Sequence, residues 1–226
     1  NSINIPSPGD IKPGDVNHDK DLDFVILDVA SEEVRVLNGT GNGTTPAMMV
    51  VGSPLPNGSA PVQLAFSDLD RDGNDDAITV NEGSGSLSVL LGDVSDLGNT
   101  SSFTVGTSPQ SMAVHDFDND GDDDLVVSLI GDGSGERELL LIRNDTVSTV
   151  VLSAGDAFNS GAEPILVNHV DIDQDGLNDV VSVTDLSPLV GQNTPAVTVS
   201  FNNTAVVVVC PADLDGNGFI AVGDIL

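Results

Sequence analysis

The feature that most constrains this chain is a spacing. Side chains bearing oxygen recur at positions 1, 3, 5 and 9 of a nine-residue window, and the window occurs four times: Asp15, Asn17, Asp19 and Asp23; Asp68, Asp70, Asp72 and Asp76; Asp116, Asp118, Asp120 and Asp124; Asp171, Asp173, Asp175 and Asp179. Position 6 is glycine in the last three, as Gly73, Gly121 and Gly176, and Lys20 in the first. Alternate residues of a tightly turned loop point inward together, and a hard cation takes six to eight oxygens at short range, so the pattern predicts an ion loop. Aspartate reaches the centre of such a loop, where glutamate would overshoot. Glycine at position 6 permits the positive φ that wraps the chain around the ion. Position 7 offers its backbone carbonyl, from Asp21, Asn74, Asp122 and Leu177, which is why its side chain varies from acidic to apolar.

A fifth cluster has a longer period. Asp213, Asp215, Asn217, Phe219, Ala221 and Asp224 occupy positions 1, 3, 5, 7, 9 and 12 of a twelve-residue loop with EF-hand spacing, aspartate standing where glutamate is usual at position 12. The five windows hold 22 of the 30 aspartates in a chain that has only 6 glutamates, so the acidity is mostly local architecture. Ligand sets made of oxygen alone, without thiol or imidazole, select Ca²⁺ over Zn²⁺ or copper, and so many carboxylates exceed what Mg²⁺ needs. About five ions are expected, or about four if Lys20 spoils the first loop.

First positions 15, 68, 116 and 171 lie 53, 48 and 55 residues apart, the length of one supersecondary unit. Between them the apolar runs are short and β-branched. In the second unit strands are expected near Val62–Phe66, Ala77–Val80, Leu87–Leu91 and Phe103–Val105, with a polar stretch before Ser102 read as punctuation. In the third they fall at Met112–Val114, Leu125–Ile130, Leu139–Ile142 and Val147–Leu152. Four short strands per unit of about 40–55 residues is the pattern of a β-propeller blade, with the ion loop between the first and second strands. A sandwich would not explain one ion loop per four strands. The first unit begins almost at its loop, so its opening strand is expected to be barely represented.

The segments "DVNHDKDLDFVIL", "DLDRDGNDDAITV", "DFDNDGDDDLVV" and "DIDQDGLNDVV", each an ion loop running into an apolar strand, resemble the FG-GAP or VCBS repeats of calcium-bearing propellers such as the integrin α-subunit head. The resemblance spans about residues 9–209. It implies an all-β fold of about four four-stranded blades over residues 1–209, an incomplete propeller, serving as an extracellular or cell-surface binding or adhesion scaffold with a protein or glycan ligand on its face. The tail "CPADLDGNGFIAVGDIL", residues 210–226, resembles the first calcium loop and helix start of a type I dockerin, which implies a scaffold partner. Val222 and Gly223 stand where dockerins carry a hydroxyl pair. That tail raises an alternative: the non-catalytic C-terminal part of a secreted enzyme acting on polysaccharide.

Other function classes are excluded or unsupported. With 36 acidic and 6 basic residues, the net charge of -30 repels nucleic acid and anionic lipid. Hydrophobic residues make up 39% of the chain, enough for a core, and no stretch approaches 18 apolar residues. Carboxylates held on an ion make poor general acids, and no nucleophile elbow, P-loop or dinucleotide fingerprint is present, so no catalytic residue is expected. His18 falls at position 4 of the first loop, facing away from the ion, and His115 and His169 are expected to be strand residues without catalytic role. Cys210 is a lone thiol, either paired beyond this chain or buried. Six N-glycosylation triplets, at Asn38, Asn42, Asn57, Asn99, Asn144 and Asn202, fall mostly in expected turns.

Overall fold

In a computed structural model of the chain, the structure describes residues 5–17, 19–41, 51–56, 58–92, 97–130, 138–145, 150–159, 163–185, 196–200 and 207–210. All regular structure among them is β, in four antiparallel four-stranded sheets whose strands are adjacent in chain order. The first sheet is β1 (Pro8–Gly14), β2 (Asp23–Asp28), β3 (Glu33–Leu37) and β4 (Val51–Pro54). The second is β5 (Pro61–Ser67), β6 (Asp76–Asn81), β7 (Ser86–Gly92) and β8 (Leu97–Thr104). The third is β9 (Pro109–His115), β10 (Asp124–Leu129), β11 (Glu138–Asn144) and β12 (Leu152–Asn159). The fourth is β13 (Glu163–Val170), β14 (Asp179–Asp185), β15 (Ala196–Ser200) and β16 (Val207–Cys210). Each is a propeller blade, and each acidic loop joins its first strand to its second.

The chain divides into two compact units, Asn1–Pro109 with Arg143–Ser153, and Gln110–Ile142 with Ala154–Leu226. In the first, Val16, Val25, Leu27, Val34 and Val36 of one blade pack with Leu64, Ala77, Leu90 and Leu97 of the next. In the second, Ala113, Phe117, Val126 and Leu139 pack with Val167 and Val180. Successive side chains of a strand face opposite sides of the sheet. The residue directly after loop position 9 therefore faces the preceding blade (Ala77, Val180), and the one after that the following blade (Val25, Val126). Strands such as β10, buried on both faces over its whole length, are the result. The second sheet also buries a polar set: Asn81 Nδ2 donates to Ser88 Oγ at 2.9 Å, and Thr79 Oγ1 donates to Asn81 Oδ1 at 3.0 Å.

Three strand expectations are corrected. β1 is a full seven-residue strand, paired with β2 through a bulge between Pro8 and Ile11. Its two prolines and two glycines hide it in the sequence, yet it lies at the end of its sheet, where proline costs no ladder bond on the open side. β8 takes in the polar stretch Leu97–Thr104 because it is an outermost strand, paired with β7 through main-chain bonds, with Leu97 buried in the core at one end while Ser101 and Ser102 are exposed. The last strand of the third unit is Leu152–Asn159, C-terminal to the expected Val147–Leu152. The apolar run from Phe24 ends as strand at Asp28, and residues 29–32 turn, with Glu32 at φ +52°. That turn is pinned: the Glu32 carboxylate accepts the N–H groups of Gly58 (2.9 Å) and Ala60 (3.0 Å).

Candidate metal centres

The four loops share one hydrogen-bond scheme. At position 1, one carboxylate oxygen accepts the N–H of position 6: Lys20 to Asp15 (3.0 Å), Gly73 to Asp68 (2.9 Å), Gly121 to Asp116 (2.9 Å) and Gly176 to Asp171 (3.1 Å). The position-5 aspartates Asp19, Asp72, Asp120 and Asp175 each accept the N–H of position 7 at 2.8 Å. At position 9, one oxygen accepts the N–H of position 2: Val16 to Asp23 (3.2 Å), Leu69 to Asp76 (2.9 Å), Phe117 to Asp124 (3.1 Å) and Ile172 to Asp179 (2.9 Å). Aspartate is suited to all three tasks because its short side chain reaches amides a few residues away.

Two left-handed residues make the turn. Position 6 has φ +93° at Gly73, +94° at Gly121 and +94° at Gly176, and Lys20 adopts the same region at +71°. Lysine therefore does not abolish the first loop's turn, although it carries the strain of a Cβ there. Position 4 is also left-handed, at Arg71 (+59°), Asn119 (+63°) and Gln174 (+61°), which the sequence did not signal. His18, at position 4 of the first loop, lies outside the described residues.

The result is a convergence of carboxylates. Positions 1, 3 and 9 bring ligand oxygens within 4.8 Å of one another in three loops: Asp68, Asp70 and Asp76; Asp116, Asp118 and Asp124; Asp171, Asp173 and Asp179. These clusters could hold a metal ion. The first loop has Asn17 at position 3, so only Asp15 and Asp23 contribute carboxylates at those three places. Position 5 is not part of the gathered triplets; its carboxylate is bound to the loop backbone. The fifth cluster, Asp213, Asp215, Asn217, Phe219 and Asp224, lies with its dockerin-like tail outside the described residues, as do the position-7 Phe219 carbonyl and the expected helix start.

Electrostatics make the convergence costly without a counter-charge. Burial, reinforced by the nearby charges of Asp70 and Asp68, pushes Asp76 up to about 7, against the opposing hydrogen bonds from Gly92 and Leu69. Burial also raises Asp23, and burial followed by the charge of Asp72 raises Asp70. An oxygen-ligated cation fits one further observation: Asp171 Oδ1, at position 1 of the fourth loop, is buried with no hydrogen-bond partner. A buried unsatisfied carboxylate oxygen is expensive, and a cation is a chemically suitable partner for it.

The sequence reading missed what surrounds the third and fourth loops. His115 and His169 stack with centroids 4.6 Å apart, and Phe117 meets both rings edge-on. The sequence signal was that His115 and His169 precede their loops by one and two residues.

An all-β chain whose blades each carry an acidic loop between the first two strands is a β-propeller repeat protein. Comparison with family profiles gives the family: FG-GAP-like repeats match at residues 15–79 and 68–127, half of the chain, and the chain belongs to that family. Both matches begin at position 1 of a loop. No curated protein matches the sequence. Among solved structures, similarity extends to BBS1N in complex with ARL6DN (TM-score 0.59, 14% identity, 91% of this chain and 56% of that one). It extends also to a streptogramin B lyase (0.54, 16%, 89% and 53%). A third is a putative 6-phosphogluconolactonase from Bacteroides fragilis (0.61, 13%, 89% and 53%). These likenesses show the propeller fold alone, and the chain spans a little over half the length of each. Among the described residues no helix is long and apolar enough to cross a membrane.

Proposed function

We propose that this chain is an extracellular calcium-binding propeller segment that serves as a non-catalytic binding or adhesion scaffold, with Ca²⁺ closing the loop between the first and second strands of each blade. The observation that carries the reading is the convergence of positions 1, 3 and 9 in three separate loops of identical backbone design. One such cluster is an ordinary acidic turn; three in the same register are a repeated device. Asp68, Asp70 and Asp76, with their counterparts in the third and fourth loops, would hold the ion, joined by position 5 and by the position-7 carbonyls of Asn74, Asp122 and Leu177. In the first loop Asp15, Asn17, Asp19, Asp23 and the Asp21 carbonyl take those roles. The ion supplies positive charge where the carboxylates are most crowded; the loops supply preformed geometry.

Two considerations support a scaffold over an enzyme, although propellers named as a lyase and a putative lactonase share the fold. The family is a repeat family, and fold alone carries no activity. His115 and His169 are engaged with each other and with Phe117. The ligand is read as a protein or glycan, because a surface of charge -30 disfavours polyanions. Millimolar extracellular calcium would saturate modest sites, and at 100 times Kd each ion stabilises the fold by about 2.7 kcal/mol.

The test is thermal unfolding of the whole chain in calcium and in chelator. For a chain of this size the expected rise is about 5–10 °C for each loop filled. Superimposable melts would overturn the reading.

A further inference from the structure

The third and fourth loops are joined by one side chain. Asn178, at position 8 of the fourth loop, bridges the two stacked rings: its Nδ2 donates to His115 Nε2, and its Oδ1 lies 3.3 Å from His169 Nδ1. With the amide so oriented, His115 carries its proton on Nδ1, and His169 donates from Nδ1. His115 immediately precedes Asp116, the first residue of the third loop. Asn178 immediately precedes Asp179, the buried position-9 carboxylate of the fourth. Phe117, at position 2 of the third loop, closes the cluster edge-on at 5.7 Å from His115 and 5.9 Å from His169. Fixing either loop therefore fixes the residue adjoining a ligand of the other.

The same juxtaposition recurs between the first two blades without the bridge. Gly14, the residue before Asp15, sits where a Cβ would lie 3.5 Å from Phe66 and 3.6 Å from Asp75 Oδ2. Phe66 and Asp75 are two before and position 8 of the second loop, the places of His169 and Asn178. The backbone arrangement is thus general, while glycine at residue 14 offers no ring for a position-8 side chain to hold.

We propose that Asn178 is a positioning residue through which the third and fourth loops share calcium affinity, each ion making the other loop easier to fill. The proposal rests on the calcium reading of the loops. Order imposed on Asp179 and its neighbours by one ion holds Asn178, which holds His115 and with it the start of the third loop. The coupling is reciprocal, as linkage requires. The first and second loops, lacking the bridge, fill more independently.

The chain has three histidines, so ring NMR signals of His115 and His169 report on the junction directly. Calcium is titrated into the wild type, Asp171→Asn/Asp173→Asn, Asn178→Leu, and the three changes combined. Leucine is chosen because Leu22 already occupies position 8 of the first loop. Asn178→Asp, the residue type of Asp75 and Asp123, is the second variant should leucine disturb folding; it keeps an acceptor for His169 and loses the donor to His115. In the wild-type background, disabling the fourth loop should raise the calcium midpoint read at His115 about three- to tenfold, the size of one hydrogen-bond coupling. In the Asn178→Leu or Asn178→Asp background it should leave that midpoint within about twofold. An equal effect in both backgrounds, or none in either, overturns the coupling. Calorimetry on the wild type separates the two failures: calcium uptake without the His115 effect removes only the coupling, whereas no uptake removes the calcium reading and the coupling with it.

Discussion

Gly92 and Asp76 hold a blade's third strand to its acidic loop: the Gly92 N–H donates to Asp76 Oδ1 at 2.8 Å, while Leu69 N–H donates to the other oxygen at 2.9 Å. Gly39 repeats the contact to Asp23 at 2.7 Å in the first blade. The position-9 carboxylate is thus a structural clamp in its own right. The neighbouring position-3 carboxylate, Asp70, accepts a single N–H, that of Asp72 at 3.2 Å, and Asp68 Oδ1 accepts the same N–H at 3.0 Å, so losing Asp70 leaves that donor with a partner.

That difference separates two substitutions. Asp76→Ala leaves two N–H groups without their carboxylate and should destabilise the chain by about 2–4 kcal/mol even in chelator. Asp70→Ala removes a like charge beside Asp68 and Asp72, so in chelator it should be neutral or slightly stabilising, and should cost stability only in calcium. Denaturant melts of both variants in both conditions check this. Equal losses in chelator would show that position 3 is also a clamp.

The acid dependence follows from the raised carboxylates. Asp76 titrates at about 7 in the fold against an ordinary 3.8, so without a cation the fold favours its protonated form. Its contribution is complete below about 3.8 and disappears as pH rises through about 7; burial shifts Asp23 and Asp70 in the same direction. Calcium needs the anion, so its stabilisation grows over the same window, with affinity changing by up to about tenfold per pH unit for one released proton. The gap between melting temperatures in calcium and in chelator should widen from pH 5 to pH 8. A constant gap contradicts the assignment.

Gly92 is required by close approach. A Cβ there would overlap the carbonyl oxygen of Asp75, as one at Gly39 would overlap that of Leu22. Gly92→Ala forces the strand end off the loop and should cost about 1–3 kcal/mol, a fall of about 2–12 °C. Because the displaced carbonyl lies between Asn74 and Asp76, calcium affinity of the second loop should fall with it. Calorimetry and thermal melts of this single variant test both effects.

What the sequence disclosed is what local chemistry controls. The loops were legible because a turn built from Asx hydrogen bonds and a left-handed residue is written within nine positions, and the central strands because both their faces are buried. β1 and the N-terminal part of β8 were hidden: edge strands are held by ladder bonds, which any residue but proline supplies, so side-chain periodicity is weak there. The Asn178–His115 bridge spans 63 positions, and nothing local marks position 8 as a contact. The clamp at Gly92 was invisible for the same reason, since the clash that demands glycine comes from a residue on another strand's loop.

The first blade presents a face that the blades after it bury. Ile11 pairs with Ile26, as Leu64 pairs with Thr79 and Val167 with Ser182, so these three first-strand residues are equivalent by register. Leu64 is 0% exposed and Val167 4%, but Ile11 is 55%. Phe24 is 44% exposed where its counterparts Ala77 and Val180 are 0% and 6%. Ile11, Phe24 and the 66% exposed Leu22 make this blade an association-prone surface. Phe24→Ser with Ile11→Ser should reduce concentration-dependent self-association in sedimentation velocity and shift stability by no more than about 0.5 kcal/mol per site, as exposed changes do. Leu64→Ala, at the buried equivalent of Ile11, should instead cost about 2–5 kcal/mol. Were the serine pair to lower the melt of the dilute monomer as much as Leu64→Ala, the first face would have to be covered within the chain itself, and its exposure would not be the source of association.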